Sequence, residues 1–324
     1  MGIGKFLDPK NDVAFKQIFG TEKNKDILIH FLNDMIPFPG GAKIQTVTFL
    51  KPSQDPETAA KKQSIVDVLC ADEKGSQYIV EMQVVSTKGF EKRAQYYAAK
   101  AYVNQMNLGD DYQNLKEIIF LAITDFVMFP DKPKYKSDHV ILDRETMTHD
   151  LKDFYFSFLE LPKFNKNMHE LNNAIEKWAY FFKHAPETSP EDLKEIIGND
   201  KIIGKAYEAL IQFYWTEKEV VAYEEELKRR RDERAVNDQK IYEGRIEGEA
   251  IGFVKGKEEG KAEGLAEGKA EGLAEGKAEG VQTATLNIAR QLLNQGMSIE
   301  AVQSATGLLP EEINTLMKEL PVKI

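Results

Sequence analysis

Asp67, Glu81 and Gln83 are polar side chains set into an otherwise apolar stretch, SIVDVLCADEKGSQYIVEMQV over residues 64–84. Ser64 to Ala71 and Gln77 to Val85 are rich in Val, Ile and Tyr, and the Asp-Glu-Lys-Gly between them is turn chemistry, so the stretch reads as a β-hairpin. A three-residue loop, Glu73-Lys74-Gly75 with Gly75 left-handed, pairs Asp72 with Ser76 and therefore Asp67 with Glu81. Gln83 shares the face of Glu81 by alternation, while Val66, Val68, Cys70, Val80, Met82 and Val84 are expected to point the other way, into a core.

Like charges opposite each other on a sheet are destabilising, and carboxylates are rarely buried without a partner. A divalent cation answers both problems: Mg²⁺ is held by one or two carboxylates and completes its shell with water and phosphate oxygens. Such an ion polarises a phosphodiester and activates the attacking water. Two plainer arrangements fit the same spacing: solvated acids on an edge hairpin, or neutralisation by a Lys or Arg from elsewhere.

Further residues narrow the comparison. Asp67 followed by Glu81-Met82-Gln83 resembles the PD-(D/E)XK nuclease signature, and the N-terminal stretch Asp8 to Gly20 (DPKNDVAFKQIFG) with Arg93-Ala94-Gln95-Tyr96-Tyr97 resembles the Rpn recombination-promoting nuclease/putative transposase branch. The resemblance covers the first half of the chain in detail. It implies an α/β fold of the restriction-endonuclease-like kind, a mixed central sheet flanked by helices, followed by an all-helical C-terminal half. It also implies a metal-dependent DNA endonuclease of the cytoplasm, using Mg²⁺ or another divalent cation such as Ca²⁺ or Mn²⁺, linked to recombination, mobile elements or phage defence. Asp67 and Glu81 would hold the ion, Asp12 would reach toward it from the first helix, and Lys16 would meet phosphate. Gln83 stands where the superfamily usually has Lys. Glutamine orients a water but cannot accept its proton, so the base would be a carboxylate or hydroxide on the metal. The alternative is an inactive nuclease fold that binds nucleic acid or protein.

The elements that position these residues are legible in turn. Apolar residues from Phe15 to Met35 recur at helical spacing up to the break at Pro37, giving one or two amphipathic helices that place Asp12 and Lys16 four apart on one face. Ile44 to Leu50 reads as the first strand and Lys51 to Lys62 as a polar loop. Lys88 to Met106 reads as a helix, with Arg93, Tyr97 and Lys100 on one face suited to phosphate contact and stacking, and Tyr96 expected to pack on the sheet. Glu117 to Thr124 is apolar enough for a central strand; His139 to Leu142 and Phe154 to Leu161 read as strands, with His139 and His149 on the surface.

The second half changes character. Leu171, Ile175, Trp178, Phe181 and Phe182 form an apolar stripe, Ser189-Pro190-Glu191-Asp192 is a helix start, and Ile202 to Trp215 and Val220 to Leu227 extend the bundle. Lys228 to Arg231 reads as a solvated charged face, bracketed by acids. Glycine then recurs every fourth residue from 244 to 280. Each interior glycine costs about 1 kcal/mol relative to alanine, so this stretch reads as a fraying helical tether with self-association contributed by its ends. Three short helices follow, with helix-turn-helix spacing; the last, Pro310 to Leu320, carries Glu311, Glu312 and Glu319 against Lys318, which favours contact with protein over DNA. The domains expected are 1–165 nuclease-like, 166–240 helical extension, 241–281 tether and 282–324 small helical module.

Composition bounds the rest. A net charge of −10 argues against nonspecific coating of nucleic acid, although residues 1–160 hold 20 Lys and Arg against 23 Asp and Glu, leaving room for a local basic groove. Cys70 is the single cysteine, so no internal disulfide forms, as suits a reducing cytoplasm. No apolar run approaches the length of a membrane span. The expected partners are DNA and a second copy of the chain, through the C-terminal helical region.

Overall fold

Asn11 starts the first helix by accepting, through Oδ1, from the main-chain N–H groups of Val13 and Ala14 at 2.9 and 3.4 Å. In this computed structural model, which describes residues 6–54, 64–198 and 200–319, α1 (Asp12–Phe19) and α2 (Lys25–Met35) bury Phe15, Ile18, Phe19, Ile27, Leu28, Phe31 and Leu32. The helical spacing of those residues is what the sequence displays.

The strands that follow are β1 (Val47–Phe49), β2 (Ser53–Gln54), β3 (Ser64–Ile65), β4 (Val68–Asp72) and β5 (Gln77–Gln83). Then come α3 (Phe90–Val103), β6 (Ile118–Thr124), β7 (Lys136–Val140) and β8 (Phe154–Glu160). Six strands form one mixed sheet in the order β1-β4-β5-β6-β8-β7, parallel at β5/β6 and β6/β8 and antiparallel elsewhere; β2 and β3 make a separate pair. Most of the loop expected over Lys51 to Lys62 lies outside the described residues.

Strand β6, IIFLAIT, is buried throughout because helices cover both faces of the sheet. Ile119, Leu121 and Ile123 face a core shared with α1 and α2. Ile118, Phe120 and Ala122 face α3, which meets them with Phe90, Ala94, Ala98 and Ala101. The small alanines at helical spacing let α3 lie close to the sheet.

The hairpin has the predicted register. Val68 pairs with Val80 and Ala71 with Gln77, and Gly75, at φ 87°, closes the turn with its N–H donating to the Asp72 carbonyl at 3.1 Å. One assignment is corrected. Val68, Cys70, Val80 and Met82 enter the α1/α2 core as expected, but Val66 packs in the α3 layer, because the chain bends at Asp67 between β3 and β4 and alternation restarts there.

The helical part contains α4 (Ala174–His184), α5 (Pro190–Ile197), α6 (Lys201–Ala209) and α7 (Glu217–Asn294), then α8 (Ile299–Thr306) and α9 (Pro310–Glu319). Ser189 and Asp192 cap α5 reciprocally. Trp178 is fully buried among Phe19, Phe31 and Phe181, as the apolar stripe implies. The chain divides into two compact units, Met1–Glu233 and Arg234–Ile324. The proposed boundaries at 240/241 and 281/282 fall inside α7, which runs unbroken for 78 residues. In the second unit, Ala289 at the end of α7 packs with Val302, Ile313 and Leu316 of α8 and α9. No described helix is long and apolar enough to cross a membrane.

Candidate active site

Asp67 and Glu81 hold each other through the main chain. The N–H of Asp67 donates to Glu81 Oε1 at 3.2 Å, and Asp67 Oδ2 accepts from the N–H of Met82 at 2.9 Å. This is the cross-strand neighbourhood the turn predicts, realised just outside the regular ladder. Glu81 is 5% exposed and the Asp67 side chain 17%.

Burial and proximity leave both carboxyls reluctant to ionise. Burial raises Asp67, with the charge of Asp12 adding to it against the Met82 N–H and Lys16, so that it titrates at about 6. Burial, then the charge of Asp67, lifts Glu81 well above the usual carboxylate range. No Lys or Arg nitrogen lies within ion-pair distance of Glu81 among the described residues.

Lys16 stands on the other side of Asp67. Its Nζ is 2.8 Å from Asp12 Oδ1 and 3.7 Å from Asp67 Oδ1. Burial lowers its pKa, but the hydrogen bond and charge of Asp12, with Asp67 and Glu81 behind, outweigh this and raise it. The i,i+4 pair readable in the sequence therefore forms, and α1 also aims it at the acidic site. Asp12 is brought beside Asp67, but Asp12, Asp67 and Glu81 do not present one oxygen each within 4.8 Å of one another.

Gln83 faces α3. Its Oε1 accepts from an Arg93 terminal nitrogen and its Nε2 donates to the Val85 carbonyl at 2.8 Å. The Arg93 guanidinium lies 4.7 Å from the Phe90 ring centroid and 6.0 Å from that of Tyr97. Burial raises Tyr97, and Glu81 and Asp67 add to it against Arg93. Tyr96 corrects its expectation: at 47% exposure it points outward while Tyr97 packs inward. Its place one residue earlier turns it away from the sheet-facing stripe of Ala94, Ala98 and Ala101.

The site fits a divalent cation by its own chemistry: two hard oxygen donors, poorly solvated and mutually repelling, with Glu81 in no ion pair among the described residues.

Three features differ from, or add to, what the sequence implies. Arg230 donates to the Lys10 carbonyl at 2.8 Å and to Glu226 at 3.0 Å, and Asn11 Nδ2 donates to the Tyr223 carbonyl at 3.4 Å, so the start of α7 braces the start of α1. The run Lys228 to Arg231 is thus only partly a solvated face; Arg230 is a tertiary tie, and nothing local in the sequence announces a partner 220 residues away. Second, His30, Asp34 and Asp200 cluster, with His30 Nε2 3.2 Å from Asp200 and 3.3 Å from Asp34. Trp178 Nε1 donates to Asp34 at 2.8 Å, while Asp200 caps α6 through its other oxygen, so the group clamps α2, α4 and α6. The i,i+4 spacing of His30 and Asp34 was a readable signal; Asp200 was not. Third, His139 and His149 are part-buried, not surface residues: His139 packs on Phe129 and Phe158, and burial lowers its pKa.

Comparison with known families agrees with this geometry. The family described as PD-(D/E)XK nuclease family transposase matches residues 9–240, and the Rpn/YhgA-like nuclease family, C-terminal HTH domain, matches residues 282–318. No curated protein and no solved structure matches. The first match spans well over half of the chain and includes every residue of the site, and the second coincides with the end of α7, α8 and α9. The chain therefore belongs to the PD-(D/E)XK nuclease family transposases, with an Rpn-type C-terminal domain.

Proposed function

We propose that this protein is a metal-dependent DNA endonuclease that hydrolyses phosphodiester bonds at Asp67 and Glu81, in the cytoplasm. The observation that carries the proposal is the pair of buried carboxylates, each held by a main-chain N–H from the other's segment, with Glu81 in no ion pair among the described residues. Asp67 and Glu81 would hold Mg²⁺ or a similar ion, with Asp12 supporting from α1. When bound, the ion supplies Lewis-acid polarisation of the phosphodiester and eases deprotonation of water.

The remaining roles belong to the chain's own groups. Lys16, exposed enough to meet solvent, offers a positive charge to a neighbouring phosphate once Asp12 releases it. Tyr97 and Arg93 line the α3 side and offer a phenol and a guanidinium to the DNA backbone. Gln83 orients what lies beside it and takes no proton.

Family membership supports a link with recombination, mobile elements or phage defence, and the helix-turn-helix family match supports a second DNA contact over the protein contact expected from the acids of α9. The exposed apolar residues of α7, among them Ile241, Phe253 and Leu265, suit a second copy of the chain. The test is nicking of supercoiled plasmid with Mg²⁺, with EDTA, and by Asp67→Ala. Cutting that needs the metal and the aspartate supports an enzyme. DNA binding without cutting in any divalent ion supports the alternative, an inactive nuclease fold that binds nucleic acid or protein.

A further inference from the structure

Strand β5 carries Gln83 where the wider PD-(D/E)XK signature usually has lysine, and Lys16, the cation on the Asp67 side, is held by Asp12. Among the described residues only one guanidinium touches Gln83. Arg93 reaches it from the first turn of α3, donating to Oε1, while the amide's other end is tied back to the Val85 carbonyl. The bracket holds Gln83 oxygen-first toward α3, which is the orientation a cation there requires.

Arg93 itself is incompletely used. Gln83 is its hydrogen-bond partner among the described residues, it makes no ion pair there, and its Nε is buried without a partner. Phe90 and Tyr97 hold the guanidinium plane by their ring faces. A part-buried arginine with spare donors, pinned by two rings and by Gln83, which shares the face of Glu81 two residues along β5, is arranged to receive an anion that binds bidentately. The non-bridging oxygens of a phosphodiester are that kind of anion.

We propose that Arg93 is the catalytic cation of this site, delivered from α3 and oriented by Gln83, in place of a lysine on β5. The proposal rests on the nuclease reading above and assigns a role within it. As the water oxygen bonds to phosphorus, its proton passing to a carboxylate of the site, the bond to the departing sugar oxygen breaks and that oxygen takes a proton from solvent; meanwhile negative charge grows on the non-bridging oxygens. Arg93 meets that charge and stays protonated throughout, since guanidinium does not give up its proton at working pH. Gln83 is a positioning residue. A lysine at 83 would repel Arg93, so the two positions are coupled.

The test is a double-mutant cycle on the full chain. Arg93→Gln is expected to lower the plasmid-nicking rate constant by about 100-fold, as loss of one transition-state donor does, with duplex affinity measured by anisotropy in Ca²⁺ changed by less than about 10-fold. Gln83→Lys combined with Arg93→Gln is expected to recover at least about 10-fold of that loss. Without DNA, Mn²⁺ titrated calorimetrically should bind Arg93→Gln about 3-fold or more tighter, because a positive charge beside Glu81 is gone. A merely structural arginine would weaken metal binding instead.

The proposal is overturned if Arg93→Gln cuts like the wild type, if its loss lies entirely in duplex affinity, or if the double variant is no better than Arg93→Gln. Where Arg93→Gln does not fold, Arg93→Lys decides: it keeps charge and stem, so measurable cutting is expected, and none with duplex binding intact overturns the role. A wild type that cuts while Arg93→Gln cuts equally refutes this inference alone. A wild type that cuts in no divalent ion refutes the nuclease reading with it.

Discussion

The main-chain N–H of Asp67 points at the carboxylate of Glu81 while the main-chain N–H of Met82 points at the carboxylate of Asp67, over 3.2 and 2.9 Å. Each acid is therefore fixed by the other's strand. Two carboxylates locked in this way cannot swing apart to relieve their repulsion, and the consequences are measurable.

Metal-free, the pair favours its protonated forms. Asp67 titrates at about 6 against an ordinary 3.8, so its contribution to stability is present below about pH 4 and is lost as pH rises through 6. Asp67→Asn, which keeps an acceptor for Met82, should raise metal-free stability at pH 8 by on the order of 2 kcal/mol, with little gain at pH 4. Thermal melts in EDTA across that range check it; a variant less stable than wild type at pH 8 contradicts it.

Added metal should reverse the penalty. Mn²⁺ is expected to raise the melting temperature of the wild type more at pH 8 than at pH 5, because both carboxyls must lose their protons to bind it. Glu81→Gln, which still accepts from Asp67, should lose that shift. The same shift in Glu81→Gln would place the metal elsewhere, for instance at His30, Asp34 and Asp200.

Trp178 and Asp34 give a prediction about the fold alone. Burial raises Asp34, and the Trp178 Nε1–H, 2.8 Å away, holds it down. Trp178→Phe removes that donor and should destabilise by about 1 to 3 kcal/mol at pH 8. Asp34 takes a proton in acid, so the loss should shrink toward pH 4. Urea titration at both pH values measures it.

The glycine repeat of α7 predicts a gain. A Cβ added at any glycine from Gly244 to Gly280 meets nothing within 4 Å, so Gly256→Ala, Gly264→Ala and Gly272→Ala together should slow amide exchange over 250–285. Each change removes about 1 kcal/mol of helix penalty. Unchanged exchange with loss of a dimer would mean instead that a partner packs on the glycines.

The sequence carried the hairpin because the pattern there is local: a Gly75 turn sets a register, and the register sets which acids meet. It carried β6, α4 and the cap of α5 for the same reason. It did not carry the bend at Asp67, which sends Val66 into the other layer, since alternation holds only within one continuous strand. Nor did it carry Arg230 on Lys10 or Asp200 on His30, which depend on how remote helices pack. Tyr96 and Tyr97 differ by a single residue, and which of them faces inward was decided by the packing of α3.

The most direct measurement is the initial rate of cleavage of end-labelled duplex DNA against Mg²⁺ concentration, for the wild type, Asp67→Asn and Glu81→Gln. The rate should saturate with Mg²⁺ in the wild type and fall at least about 100-fold in each variant while the fold is kept. Variants that cut like the wild type, or a wild type that binds the duplex and leaves it intact in Mg²⁺ and Mn²⁺ alike, would contradict it.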